Sequence, residues 1–228
     1  MKQFNFYVDP INPELKSIHP TSVSQKTHYL RSFFDKIEKG FQDECTLLWE
    51  ECQLEDERTK DHEDDSDYDY RANDSLREIE FVYLRMHRYS ATLASYAYLE
   101  SSMMKLCREL EALTLPAIAF TPDNKGGIDK CKKYFTKVTG ENFSKVNSQW
   151  SQIITLSKIR NCIIHADGDS SRMRNKEKFI KTIEKNPGLS FIEENLLMIS
   201  SEFIQCAIDN IKTILIHMCN TKNLKTLK

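Results

Sequence analysis

Apolar residues spaced three or four positions apart constrain the fold of this chain more than any other feature of its sequence. They make amphipathic stripes, typical of helices, in four long segments. These segments cover about 24–60, 75–113, 144–167 and 200–219. Glycine and proline, which interrupt helices, number only six each in 228 residues. The sequence therefore predicts an all-α fold, with one domain over 1–228 built from long antiparallel helices.

Shorter segments connect these helices. Three prolines exclude a long helix near the start, so we expect an extended N-terminal arm over 1–20. A run rich in aspartate predicts a solvated acidic loop over 61–74. The remaining predicted elements are short helices over about 128–138 and up to Lys185, a turn at Asn186-Pro187-Gly188, and a small β-hairpin over 189–199.

The acidic loop carries a pattern that resembles a calcium site. Asp65, Asp67 and Asp69 repeat the start of a calcium-binding loop. The sixth and twelfth positions of that loop would be Tyr70 and Leu76, which replace the required glycine and glutamate. Cysteine and histidine show no zinc-site spacing elsewhere. We therefore expect neither a metal nor another cofactor.

Hydropathy and cysteine usage indicate a protein outside the membrane. No apolar run is long enough to span a bilayer, and no early segment has the charged-then-apolar pattern of a signal peptide. The seven cysteines are scattered, without a C-x-x-C pair, and most have apolar neighbours. We therefore expect reduced thiols and a cytoplasmic location.

One stretch, from Lys158 to Gly168, places polar groups inside an otherwise apolar helix. Arg160, Asn161 and His165 lie within it, and Gly168 suits a left-handed helix cap. On a straight helix, Arg160 and His165 diverge by about 140° and are separated by a rise of about 7.5 Å. One copy therefore makes no compact site, whereas a second copy across a twofold axis would complete one. The apolar stripe expected in the core is Ile153, Leu156, Ile159, Ile163 and Ile164.

Glu100 lies on the apolar stripe of the preceding long helix, between Tyr96 and Met103. An ionised carboxylate on an apolar face needs a partner, and Arg160 has the complementary need. An ion pair between the two would direct the Arg160 guanidinium. The alternative is that Glu100 lies at the edge of the stripe and reaches water.

Charge is distributed unevenly along the chain. Residues 43–80 contain sixteen acidic and four basic residues, whereas residues 125–185 contain six acidic and fourteen basic ones. The basic part includes the central stretch and suits an approaching polyanion. The alternative is two solvated faces of opposite sign, which would favour self-association.

The segment Arg160-Asn161-Cys162-Ile163-Ile164-His165 resembles the R-x4-6-H motif of the HEPN superfamily, in which a polar residue commonly follows the arginine. Residues 98–107 resemble the long earlier helix that packs against the motif helix in bacterial members. The resemblance covers about 75–220 and implies a HEPN-like helical bundle. It also implies a metal-independent endoribonuclease that acts as a homodimer, usually a toxin or an anti-phage defence effector, with an antitoxin or defence-system protein as a partner.

The resemblance implies that Arg160, Asn161 and His165 form the active site, with Glu100 in support. RNA cleavage without a metal uses the 2′-hydroxyl of the substrate as nucleophile. Imidazole suits the proton transfers, and guanidinium suits the phosphate oxygens. The basic residues expected to contact RNA are Lys158, Arg172, Arg174 and Lys176.

Two other classes of function remain open. One is a catalytically inactive HEPN-like module for binding or regulation, in which Arg160 and His165 only hold a dimer together. The other is a subunit whose partner protein carries the chemistry. Substitution of His165 separates both from a nuclease, because only a nuclease loses RNA cleavage as a result.

Overall fold

Six helices and one antiparallel β-hairpin make up the residues that this computed structural model describes, which are 17–59, 74–113, 119–120 and 127–226. The helices are α1 (Pro20–Thr59), α2 (74–113), α3 (Gly127–Thr139), α4 (Asn147–Ala166), α5 (Lys176–Glu184) and α6 (Ser201–Thr226), and the strands are β1 (Leu189–Ile192) and β2 (Leu196–Ile199). Short 3₁₀ turns at Ser144–Val146 and Ser170–Arg172 follow α3 and α4. The predicted all-α fold with a small hairpin is confirmed.

Helix α2 packs against α1, α3, α4 and α6. It can do so because apolar residues recur along it at helical spacing and face each neighbour in turn. Its fully buried side chains include Leu99, Met103, Leu106 and Leu110, and α4 and α6 add Ile153, Leu156, Ile159, Ile214, Leu215 and Met218. Burial of one such side chain contributes roughly 1.5–3 kcal/mol, so this core supplies the main stabilisation of the bundle.

Helix α2 contains a π turn at Ile79–Tyr83, inside an otherwise α-helical run. Within this turn, Tyr83 stacks on Phe41 of α1 with their ring centroids 6.2 Å apart. The Tyr83 hydroxyl donates to Glu78 Oε1 at 2.6 Å. The π turn therefore joins the start of α2 to the middle of α1.

Two ion pairs fasten the first half of α1 to the bundle. Glu38 is 6% exposed and accepts from Nε of Arg88, on α2, at 3.1 Å. Nη2 of Arg31 lies 2.6 Å from Oδ1 of Asp209, on α6. The helix begins at Pro20, earlier than the predicted start, because a proline at the first helical position loses no hydrogen bond.

The predicted N-terminal arm lies mostly outside the described residues, and only 17–19 are described as a non-helical lead into α1. Glu109 of α2 accepts from the Ser17 hydroxyl at 3.0 Å and from the Ile18 N–H at 2.9 Å. Lys222 of α6 donates to the same carboxylate at 2.6 Å. The predicted acidic loop, apart from its last residue, also lies outside the described residues, so it stays a prediction.

Candidate functional site

The central stretch forms the last turns of α4. Ile159 and Cys162 are fully buried, whereas Arg160 and Asn161 are half-buried and His165 is exposed. At 100° per residue, neighbouring positions on a helix face different directions, so the polar groups can lie beside the buried face. The motif side chains therefore reach the surface of the bundle.

Ile164 shares this outward direction. It is 47% exposed, whereas Ile163 is 8% exposed, so the prediction that Ile164 belongs to the core is wrong. The reason is that Ile164 lies one helical turn after Arg160, on the partly exposed side of α4. We call Arg160, Asn161, Ile164 and His165 the motif surface.

Two consecutive left-handed residues end α4. Asp167 (φ 52°) donates its N–H to Ile163 O at 3.0 Å, and Gly168 (φ 80°) donates to Cys162 O at 3.2 Å. The sequence predicted Gly168 alone in this role, and the structure adds Asp167. A Cβ at Gly168 would lie only 1.9 Å from the Tyr89 hydroxyl oxygen. Backbone conformation and packing therefore both require glycine there.

The β-hairpin holds the backbone just beyond α4. The Tyr89 hydroxyl donates to Leu197 O at 2.6 Å, and Leu197 N–H donates to Gly168 O at 3.0 Å. Ser170 N–H donates to Asn195 O at 2.9 Å. Burial raises the pKa of Tyr89 to about 12, so its hydroxyl remains a donor at neutral pH. These bonds fix the end of the motif helix.

Arg160 lies over the ring of Tyr96, with its Cζ 5.6 Å from the ring centroid. Its Nη1 donates to Asn161 Oδ1 at 2.9 Å. Tyr96 is itself held, because it is buried and its hydroxyl oxygen lies 3.3 Å from Ser157 Oγ. The guanidinium is therefore fixed by an aromatic face and an amide while it remains half-exposed.

Glu100 is half-buried and lies against the first residue of α3. A Cβ at Gly127 (φ 36°) would lie 2.6 Å from Glu100 Oε1. A carboxylate is favoured at this place because the N-terminus of a helix carries partial positive charge. Glu100 and Arg160 are both within the described residues, and they form no ion pair with each other. Both lie near Tyr96, whose pKa is raised mainly by burial, raised further by Glu100 and lowered by Arg160. Tyr96 and Asn161, rather than Glu100, direct the Arg160 guanidinium.

Three basic side chains meet in a cavity of about 250 Å³ beside the motif. Its lining consists of Lys158, Asn161, Met173, Arg174, Asn175, Lys178 and Phe179. Lys158 Nζ also donates to Thr182 Oγ1 at 3.1 Å, which connects α4 to α5. We call this cavity the basic cleft. Three cations and two amides without an acidic residue in the lining suit a phosphate group.

Two of the four residues expected to contact RNA, Lys158 and Arg174, line the basic cleft. Sequence reasoning missed Lys178 and Asn175. A signal for Lys178 was available, since it continues the run of basic residues at every second position that begins with Arg172, Arg174 and Lys176. No sequence signal distinguishes Asn175.

Arg172 and Lys176, the other two expected contacts, do not line the cleft. Both are exposed, and both help to hold the pKa of Asp169 below its usual value. The larger cause of that shift is hydrogen bonding from Ser171, whose N–H and hydroxyl donate to Asp169 Oδ1 at 2.8 and 2.6 Å. The positive charge of Arg172 and Lys176 is therefore partly neutralised by the Asp169 carboxylate.

The described residues contain no group of three or more side chains that could hold a metal ion. The aspartates of the calcium-like pattern lie outside them. None of the seven cysteines, all within the described ranges, forms a disulfide, and Cys107, Cys131, Cys162 and Cys219 are buried. Within the described ranges, no helix has both the length and the apolar character needed to cross a bilayer.

By its fold, the chain is an all-α helical bundle with a small hairpin. Its candidate site combines the motif surface with the basic cleft, and Asn161 belongs to both. No family model, curated protein or solved structure shows a significant match to the chain.

Proposed function

We propose that the protein is a metal-independent endoribonuclease that cleaves RNA through its own 2′-hydroxyl. One observation carries the proposal, namely that the basic cleft adjoins the motif surface at Asn161. Successive phosphates of an RNA strand bound in the cleft would extend over Arg160 and toward His165. The resemblance of the motif to the HEPN superfamily supports the same chemistry.

Each step of the reaction has a suitable side chain. A base removes the proton of the 2′-hydroxyl, the oxygen attacks phosphorus, and an acid protonates the departing 5′-oxygen, which leaves a 2′,3′-cyclic phosphate. Imidazole is suited to either proton transfer, and His165 is exposed to a bound strand. Arg160 would bind the non-bridging oxygens, where its charge stabilises the transition state more than the substrate.

Asn161 connects binding to chemistry. Its side-chain oxygen accepts from Arg160, which leaves its amide N–H groups for a phosphate oxygen in the basic cleft or for His165 one turn later. Asn161 would thereby set the position of the scissile phosphate relative to the guanidinium.

A second copy of the chain would complete the site. Arg160 and His165 diverge by about 140° around α4, so one helix does not direct both at one phosphate. Ile164 lies between them and is 47% exposed. A twofold axis near Ile164 would bury this side chain and set Arg160 of one copy beside His165 of the other. We therefore propose a homodimer with shared sites.

The HEPN resemblance also supports a biological role. We propose a cytoplasmic toxin or anti-phage defence effector, restrained by an antitoxin or a defence-system protein. Such a partner would act most directly by covering the motif surface, because that blocks both the RNA and the second copy.

The decisive experiment is incubation with a mixed RNA pool in excess chelator, followed by mapping of the cut ends. Wild type is expected to produce 2′,3′-cyclic phosphate ends, and His165→Ala and Arg160→Ala are expected to produce none. His28→Ala is the matched control, because it removes an exposed imidazole from α1 and leaves the motif surface intact. Intact RNA with wild type, or equal cleavage by wild type and His165→Ala, would contradict the proposal.

A second candidate function is a binding or dimerisation module without catalysis, alone or as a subunit whose partner carries the chemistry. The contacts of Arg160 with Tyr96 and Asn161 favour it, because they give the arginine a structural role. In that case all four proteins leave RNA intact, while Arg160→Ala still weakens self-association or partner binding.

A further inference from the structure

The second half of α1 extends along a surface without being buried in it. From Lys39 to Leu54 no residue is buried, although the stretch contains seven apolar or cysteine residues. One side of this half faces the start of α2 through Phe41, which stacks on Tyr83. The adjoining side, about 100° around the helix, is open at Gly40, where a Cβ would meet none of the described residues within 4 Å.

This uncovered side has a regular apolar pattern. Phe33, Gly40, Leu47 and Leu54 follow one another at intervals of seven residues. The three large side chains are 58%, 60% and 56% exposed. Residues seven apart drift by only about 20° around a helix, so the four make a narrow stripe about 32 Å long. One apolar residue in every seven keeps a single line of apolar contacts on one side of the helix, along which a second helix can pack.

Charge is divided at the centre of the stripe. Before Gly40, the exposed charges of α1 are mainly basic, whereas between Gly40 and Leu54 all charges are acidic. The exposed bases are Lys26, Lys36 and Lys39, and the exposed acids beyond Gly40 are Asp43, Glu44, Glu50 and Glu51. The one exposed acid before Gly40 is Asp35, which accepts from Gln205 of α6. The two halves of the helix therefore have complementary fields.

We propose that this stripe is the docking surface for a second copy of the same helix, antiparallel, with the twofold axis at Gly40. In that register, Phe33 of each copy packs on Leu47 of the other, and Lys36 lies opposite Glu44. The missing side chain at Gly40 lets the helices approach closely where they cross the axis. A parallel register is disfavoured, because it would set Lys36 opposite Lys36 and Glu44 opposite Glu44.

This interface goes beyond the proposed homodimer at the motif surface. The motif surface lies on α4, and the stripe lies on α1, so one copy has two separate self-complementary faces. A chain that uses both would form assemblies larger than a dimer at high concentration. The two interfaces can be disrupted separately, with Leu47→Glu for the stripe and Ile164→Glu for the motif surface.

The test exchanges the charges at Lys36 and Glu44, and all variants carry Ile164→Glu so that only the stripe can associate. Sedimentation velocity measures self-association, and native mass spectrometry of differently labelled chains measures which copies pair. Lys36→Glu alone sets two carboxylates opposite each other, and Glu44→Lys alone sets two lysines opposite each other. Each single variant is expected to weaken self-association about tenfold. An equimolar mixture of the two restores opposite-charge contacts. More than half of the dimers are therefore expected to contain one copy of each variant, whereas random pairing would give half. The double variant in one chain is expected to self-associate like its parent.

Leu47→Glu is the second variant, and Gln42→Glu is its matched control, since it adds the same charge to an exposed position away from the stripe. Leu47→Glu is expected to abolish the association and Gln42→Glu to preserve it. A monomeric Ile164→Glu parent at about 100 μM would overturn the proposal. So would a statistical mixture of the charge variants, or an association that Leu47→Glu leaves intact. These outcomes do not test the proposed nuclease activity, which is measured separately by RNA cleavage in chains that keep Ile164.

Discussion

The guanidinium of Arg160 lies over the ring of Tyr96, with 5.6 Å between Cζ and the ring centroid. This contact joins the motif helix to α2. Because Tyr96 is buried and bonded to Ser157, its ring is a fixed platform. Arg160 is therefore both packed and accessible, which is the combination that a phosphate-binding arginine requires.

Replacement of this platform is expected to reduce cleavage. Tyr96→Leu removes the aromatic face, so Arg160 loses its direction and kcat should fall about tenfold with a smaller change in KM. Tyr96→Phe keeps the ring and loses only the hydroxyl, so it should stay within about twofold of wild type. Steady-state cleavage of a defined RNA measures both. Equal losses in the two variants would mean that the hydroxyl, rather than the ring, directs Arg160.

Substitution of two glycines by alanine should change the free energy of unfolding in opposite directions. Gly168→Ala places a Cβ 1.9 Å from the Tyr89 hydroxyl oxygen at φ 80°, so it should lower the free energy of unfolding by about 3 kcal/mol. Gly40→Ala adds a methyl group in open space within a helix and should raise it by about 0.5–1 kcal/mol. Urea unfolding of dilute protein measures both. A neutral Gly168→Ala would mean that the end of α4 can shift without loss.

Tyr89 should make stability depend on pH in the alkaline range. Its pKa is about 12 in the folded state, against about 10 for an unfolded tyrosine, so folding favours the protonated hydroxyl. That contribution is fully present below pH 10 and is lost as the pH rises through 12. The urea concentration at the midpoint of unfolding should therefore be higher for wild type than for Tyr89→Phe below pH 10, and the two values should converge between pH 10 and 12. Tyr29→Phe, which removes an exposed hydroxyl, is the matched control.

The basic cleft should be visible in the salt dependence of RNA binding. A His165→Ala background prevents cleavage during the measurement. In this background, binding should be weakened by each of Lys158→Ala, Arg174→Ala and Lys178→Ala. Each should also reduce the slope of log K against log salt concentration by about one. Lys176→Ala is the matched control, because its side chain lies outside the cleft near Asp169. Fluorescence anisotropy from 50 to 200 mM salt, roughly the range over which counterion release is usually measured, tests this. An equal change in the control would point to a diffuse basic surface.

Two ion pairs of α1 should differ in their contribution to stability. The Glu38 side chain is 8% exposed, so Glu38→Gln removes the buried counter-charge of Arg88 and should cost about 3 kcal/mol. The Asp209 side chain is 60% exposed, so Asp209→Asn should cost less than about 1 kcal/mol. Thermal and urea unfolding measure both. Similar costs for the two would mean that water reaches Glu38 more than its burial indicates.

Local pattern predicted most of the fold. The helical periods, the scarcity of glycine and proline, and the turn at Pro187-Gly188 led to the long helices and the hairpin, since such signals act between residues close in sequence. The motif helix and its end near Gly168 were predicted on the same basis. Ile164 was misplaced, because apolar spacing alone does not tell which side of a helix its neighbours cover.

The sequence by itself determined that Arg160, Asn161 and His165 would share the end of one helix, because their spacing along the chain sets their directions around its axis. Only the tertiary structure decided that Tyr96 would lie beneath Arg160, and that Lys178 would join Lys158 in one cleft. Tyr96 is 64 positions from Arg160 and Lys178 is 20 from Lys158. Contacts across such separations depend on how whole helices pack, and helix packing depends on the shape of the complete core.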